Sequence, residues 1–313
     1  MKIINFNEEG GRKSMRRRDF IKNSSALLAG TTMLPSAFTL ANQTSYPEAV
    51  WVENGEPQTL LTSALKEIGG LQRFISRGDI VVLKPNIGWD RAPQLAANTN
   101  PDLVKELVIE CFKAGAKTVK VFDHTCNIKE RCYRNSQIEA MAKSAGAEVF
   151  HITKFKFVNI ALKNGKILKE WPVYKDYLEA DKIINVPIAK HHHLDRVSLG
   201  FKNLMGVMGG NRGSIHTDFP IRLNDINAEI LPHLTIIDAY RILTKNGPQG
   251  GSTDYVKLAK TLIISDCVIT ADYLALGLFG HKLKEIAHIQ EAVNRNLNKY
   301  NLQKLNLKKV QLT

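Results

Sequence analysis

Five short apolar runs, each giving way to polar or charged residues, constrain this chain more than any other feature. They are Ile80-Val-Val-Leu83, Thr118-Val-Lys-Val-Phe122, Lys182-Ile-Ile-Asn-Val186, Leu234-Thr-Ile-Ile237 and Thr261-Leu-Ile-Ile264. Runs this short and rich in β-branched residues suit strands buried on both faces, as in parallel sheets. Segments of helical pattern lie between them. Asn100 is a good N-cap, Pro101 is tolerated at the first helical position, and Asp102 suits the positive end. Leu103, Leu107, Val108 and Cys111 then repeat at helical spacing until Gly115 stops the helix. A further helix is read from Ser136 to Ala145, and a strand from Glu148 to Ile152. This order predicts an α/β fold: a doubly wound, mostly parallel sheet with helices on both faces and right-handed crossovers.

The remaining chain fits that frame. Leu60, Leu61, Leu65 and Ile68 have helical spacing, broken by Gly69-Gly70. Asn164-Gly165 marks a hairpin within residues 154–180. Helices are expected over Asp225 to Leu231, through Asp272, Leu276 and Phe279, and over Glu285 to Leu297, with a closing strand from Leu307 to Leu312. Residues 42–58 are polar and carry Pro47 and Pro57, so they read as a linker or irregular lead-in. The organisation expected is a leader over 1–41, a lead-in over 42–74 and a single α/β domain over 75–313.

The leader is read from Arg17-Arg18-Asp19-Phe20-Ile21-Lys22, which resembles the twin-arginine export signature, with Arg16 standing where Ser or Thr is usual. The run Ser25 to Leu34 forms the apolar region, and small residues end near Ala41. Gly30 and Thr31-Thr32 leave that run too short and weak for a stable membrane span. The expectation is an exported, periplasmic or otherwise extracytoplasmic protein that engages the twin-arginine export machinery. The plainer alternative is a basic amphipathic N-terminus.

Formal charge is +13, a balance that favours anionic partners or, more plainly, reflects a solvated basic surface. No basic stripe is interleaved with aromatics, and neither helix-turn-helix nor zinc-finger spacing occurs, so no nucleic-acid partner is expected. The four cysteines are Cys111, Cys126, Cys132 and Cys267. Cys126 and Cys132 are close enough in sequence to pair or share a metal, or they stay as free thiols. The cysteine runs that hold iron–sulfur clusters are absent from the sequence.

In open parallel sheets, ligands bind beyond the C-terminal ends of the strands. Those ends here collect Lys84 and Asn86, Asp123 and His124, Lys190 to His193, Asp238 and Asp266. The densest window runs from Val186 through Lys190-His191-His192-His193, Asp195-Arg196 and Lys202-Asn203 to Gly206. Candidate catalytic residues are Lys84, Asp123, Lys190, His191 and His193. A desolvated lysine can serve as a base or as a Schiff-base amine, and histidine as an acid–base group. Strand alternation puts His191 and His193 on one face, and a third ligand, His216, Asp123 or His124, would complete a metal set with them, His216 being the one nominated. The glycine-rich segment that follows can hold an anion on backbone N–H groups, which nominates Gly209, Gly210 and Arg212 alongside Lys202 and Asn203. Its spacing matches neither the Walker pattern nor the dinucleotide fingerprint. The plain alternative is that strand ends meet polar loops and each lysine is solvated on its own.

Taken together, these segments resemble the domain-of-unknown-function 362 family. The resemblance rests on Val81-Val-Leu-Lys84-Pro-Asn86, Thr99-Asn100-Pro101, Lys117 to Asp123, Asn185-Val-Pro-Ile-Ala-Lys190-His191 and Phe201-Lys202-Asn203-Leu-Met-Gly206. It continues through Leu234 to Ala239, Asn246-Gly247-Pro248, Ser265-Asp266 and Ala271-Asp272, so that roughly residues 75 to 290 are covered. Many members carry a ferredoxin-like cluster domain; this chain lacks its cysteine run, and no intrinsic cluster is expected. The family is also distantly similar to nickel-pincer lactate racemases, whose sites use histidines and a lysine. The resemblance supplies no settled reaction; the lysines and histidines at the strand ends lead to the expectation of a cofactor- or metal-assisted enzyme on an anionic small molecule. A non-catalytic binding or electron-transfer accessory protein is the alternative.

Overall fold

A computed structural model describes residues 46–313. The leader segment lies outside the described residues. The chain starts with β1 (Ala49–Glu53), α1 (Pro57–Ile68), β2 (Ile80–Pro85), α2 (Pro101–Lys113) and β3 (Thr118–Val121). Helices α3 (Lys129–Asn135) and α4 (Ile138–Ser144) lead to the short β4 (Glu148–Val149). A hairpin, β5 (Phe157–Ala161) and β6 (Glu170–Tyr174), forms a separate two-stranded sheet around the expected turn. Next come α5 (Lys175–Leu178), β7 (Lys182–Val186), β8 (Ile188–His192) and β9 (Arg196–Ser198). The rest comprises α6 (Gly200–Asn203), α7 (Phe219–Asn227), β10 (Leu234–Leu243), β11 (Val256–Ser265), α8 (Val268–Ala275), α9 (Ala287–Asn294) and β12 (Leu307–Gln311).

The main sheet has the order β12-β1-β11-β10-β7-β2-β3-β4, so the five apolar runs of the sequence are consecutive neighbours. From β4 to β10 every pairing is parallel. Helices cover both faces. In β2 the side chains alternate between two cores: Val81 and Leu83 pack with α1, α2 and α4, while Val82 faces the layer of α7, α8 and α9. Asn100 caps α2 as expected, accepting the Asp102 N–H at 3.0 Å. Leu103, Val104, Leu107, Val108 and Cys111 of that helix are all buried, each large side chain contributing roughly 1.5–3 kcal/mol.

The sheet is mostly parallel, as expected, with β11 one of the exceptions, and the reading of the lead-in is corrected. The Thr261–Ile264 run belongs to β11, which pairs antiparallel with β10 because it returns directly from it instead of crossing over a helix. The polar lead-in supplies β1, whose Val50 and Val52 are fully buried between β11 and β12. Elements around the site also shift. Helix α7 starts at Phe219, ahead of the expected Asp225, and β8 prolongs the line of β7 past Pro187 along the far half of β10.

Candidate functional site

Beyond the C-terminal ends of β2, β3 and β8 lies a cavity of about 720 Å³, where the switch-point rule places a ligand site. At its floor, and partly beneath it, is a buried ion pair. Lys84, the last but one residue of β2, sits 2.7 Å from Asp123 Oδ1, just past β3. Both residues are almost wholly inaccessible. Asp123 Oδ1 also takes the His124 N–H at 2.9 Å, and Oδ2 takes the Ile87 N–H at 2.6 Å. Lys84 donates further to Pro85 O (2.8 Å) and Asn203 Oδ1 (3.2 Å). Burial lowers the Lys84 pKa while the Asp123 carboxylate pulls the other way. Each oxygen of Asp123 is thus committed to holding two strand ends together. Gly206 lies directly on this pair: a Cβ there would run into Asp123 Oδ1 and Lys84 Nζ. Lys84 is therefore under the cavity floor, not in its lining.

Lys190 does line the cavity. It is 1% exposed, and its amine donates to Asn86 Oδ1 at 2.8 Å and Ala97 O at 2.5 Å, both neutral acceptors. Among the described residues no carboxylate lies within ion-pair distance of it. Burial, above all else, lowers its pKa to about 7. Asn86 cannot flip to withdraw its oxygen, because its Nδ2 donates to Asn203 Oδ1 at 3.0 Å. Asn203 in turn is fixed by donating Nδ2 to Asn185 Oδ1 and Lys84 O.

His192, two residues on and on the same face of β8, lines the cavity as well. Its Nδ1 accepts the N–H groups of Leu194 and Asp195, each at 3.2 Å. The ring proton is therefore on Nε2. Asp195 Oδ2 is also 3.2 Å from Nδ1, but an acceptor nitrogen cannot pair with a carboxylate, so we read no salt bridge there. Burial first, then the charge of Lys202, holds the His192 pKa far below the usual histidine range. Lys202 pairs with Asp195 and lies 4.2 Å from the Phe219 ring centroid. Burial lowers its pKa to about 8 against the pull of Asp195. Arg212 enters from the glycine-rich segment and donates to His124 O (2.9 Å) and Thr125 O (3.0 Å).

Of the residues nominated from sequence, Asp123, Lys190, His193, Lys202, Asn203, Arg212 and His216 border this cavity. His191 does not: its Nδ1 accepts the Gly247 N–H at 3.1 Å, outside the lining. Gly209 and Gly210 pack against the β5–β6 hairpin instead, where a Cβ at 209 would strike Phe157 and one at 210 would meet Pro172. Asp238 and Asp266 also lie away from it. Asp238 accepts the Asn100 N–H at 2.7 Å, and Asp266 pairs with Lys299 at the other end of the sheet. The metal set of His191, His193 and His216 does not converge. The His216 ring stacks between His192 and Phe219, at 6.2 and 5.0 Å. Among the described residues, no three or more His, Cys, Asp or Glu side chains are grouped to hold a metal ion. All four cysteines are free thiols, so Cys126 and Cys132 do not pair.

His192 and Asp195 fall in the densest window of the sequence but were not among the nominated candidates. The signal was available: alternation counted from Lys190 selects His192 at i+2, whereas counting from His191 brings in His191 itself, which lies outside the lining. Cys126, exposed on the cavity wall, had no sequence signal beyond its residue type.

Residues 81–277 match the family described as Domain of unknown function (DUF362), a span that includes every cavity residue named above. The thylakoid-associated protein sll1697 of Synechocystis sp. (strain PCC 6803) is 24% identical over 230 residues, covering 71% of this chain and 70% of its own length. The lactate racemase apoprotein from Thermoanaerobacterium thermosaccharolyticum aligns in structure with a TM-score of 0.41 and 12% identity, covering 68% of this chain and 53% of the other. This chain thus spans about half the length of that racemase. Among the described residues no helix is long and apolar enough to cross a membrane.

Proposed function

We propose, given that this chain belongs to the domain-of-unknown-function 362 family, that it is an enzyme acting on an anionic small molecule bound in the 720 Å³ cavity. Lys190 is the reacting amine, and the cations around it hold the ligand's charge. One observation carries this reading: Lys190 is buried at the cavity with only neutral acceptors. Lys84 and Lys202 each have a carboxylate, in Asp123 and Asp195. Lys190 and Arg212 have none within ion-pair distance among the described residues, which leaves the cavity short of negative charge. Such an arrangement costs folding energy, and a bound anion would offset it. Among the described residues the histidines do not group to suit a metal, and no proposed step passes through one. We also propose export by the twin-arginine route, on Arg17-Arg18.

The test is calorimetric titration of the purified protein with inorganic phosphate, acetate and succinate at pH 6.5. At least one should bind, and Arg212→Gln or Lys190→Met should weaken that binding at least about tenfold, the loss of one charge-assisted contact. No binding of any of the three, or binding indifferent to both substitutions, would end this reading.

A further inference from the structure

We infer that Lys190 condenses with the carbonyl carbon of its anionic ligand to form an imine, so that the substrate is a small anionic carbonyl compound. This rests on the anion-site reading above and names its substrate class.

A neutral amine has two N–H groups and one lone pair. Both N–H groups of Lys190 are engaged, by Asn86 Oδ1 and Ala97 O. The lone pair is left at the remaining tetrahedral position, beside the cavity that this residue lines. The acceptors cannot turn round to claim it. Ala97 O is backbone, and Asn86 is locked by its bond to Asn203. A pKa lowered to about 7 keeps a large share of the amine unprotonated at neutral pH. The surroundings then suit a carbonyl group. His192 shares the strand face of Lys190, and its proton is confined to Nε2 by two backbone N–H donors on Nδ1. It stays neutral, so it offers a fixed donor to a carbonyl oxygen without competing as a base. Arg212, which lines the cavity and has no carboxylate partner among the described residues, remains for the ligand's carboxylate or phosphate.

The step balances without a co-reactant. The Lys190 nitrogen attacks the carbonyl carbon, and the C–O π pair moves to oxygen. A proton passes from nitrogen to that oxygen, giving a carbinolamine. The C–O bond then breaks, and the oxygen leaves as water with the second N–H proton, forming C=N. A proton taken up from solvent converts the imine to the iminium, whose N–H can return to Asn86 Oδ1.

The experiment is reductive trapping of the full chain. Protein at pH 7 is incubated with sodium cyanoborohydride and pyruvate, glyoxylate or glycolaldehyde phosphate, then digested and mapped by mass spectrometry. The first two probes carry a carboxylate and the third a phosphate, so they separate the two anion types. Lys190 should be labelled on the order of 10³-fold faster than exposed lysines, reflecting its larger free-amine fraction at pH 7. Inorganic phosphate should slow labelling at Lys190 alone, and Lys190→Met, if folded by circular dichroism, should lose that label only. Labelling at Lys190 no faster than at surface lysines, or unaffected by phosphate, overturns the inference. Phosphate binding by calorimetry without a Lys190 adduct overturns imine formation and leaves the anion site standing. Neither binding nor adduct removes both.

Discussion

Replacing Lys190 by Met tests the energetics of the site directly, because it removes the amine and keeps most of the volume. The amine's ordinary pKa is 10.5, and in the folded chain it titrates near 7. The gap is equivalent to on the order of 4–5 kcal/mol. Below pH 7 both states hold the proton, and the folded chain bears the whole penalty of a buried charge. Between about pH 7 and 10.5 only the unfolded chain holds it, so wild-type stability climbs by about 1.4 kcal/mol per pH unit. Above pH 10.5 the contribution is constant. Lys190→Met lacks this dependence, but it strips the donor from Asn86 Oδ1 and Ala97 O, costing roughly 2–4 kcal/mol at every pH. The variant should therefore be the more stable by about 1–3 kcal/mol at pH 6 and the less stable at pH 10, the net of these two effects. Urea unfolding followed by tryptophan fluorescence, repeated from pH 6 to 10, measures the difference. The other titrating groups largely cancel between the two proteins. Stability curves that run parallel over this range would refute a desolvated Lys190.

Other outcomes follow from the same geometry. Anion affinity should fall as pH rises through about 7 to 8, because Lys190 and then Lys202 lose their charge; phosphate titrations at pH 6, 7, 8 and 9 check this, and a rising affinity would contradict it. Gly206→Ala should cost about 2–3 kcal/mol by forcing a methyl onto the Lys84–Asp123 pair, read as a lowered midpoint of thermal unfolding. Lys84→Met alone should lose roughly 3–5 kcal/mol by stranding Asp123, while Lys84→Met with Asp123→Asn should recover part of it; a double variant no better than the single would show that the pair is not the issue. Changing Arg17 and Arg18 together to Lys should leave the protein uncleaved in the cytoplasm, checked by cell fractionation and the mass of the N-terminus.

What the sequence settled by itself was what short-range chemistry encodes. Buried-type runs, an Asn-Pro-Asp helix start and Gly punctuation were enough for an α/β sheet and for five strands that prove to be neighbours. They were not enough for β1, because Val50-Trp51-Val52 is too short a run among polar residues and prolines, and its burial comes from β11 and β12, hundreds of residues away. Nor did they orient β11, since an apolar run reads alike in either direction. The same division holds at the site. That lysines and histidines would gather at strand ends followed from the parallel sheet. Which of them would face a ligand did not. Lys84 and Lys190 both follow apolar residues near the end of a strand. One is closed over by Gly206 and neutralised by Asp123, while the other is left with two neutral acceptors at a cavity wall. The phase of the His run depends on where β8 resumes after Pro187, which its pairing with β10 sets. Periodicity is a property of neighbouring residues, but access, desolvation and charge pairing depend on what distant segments bring alongside, and only the folded chain decides that.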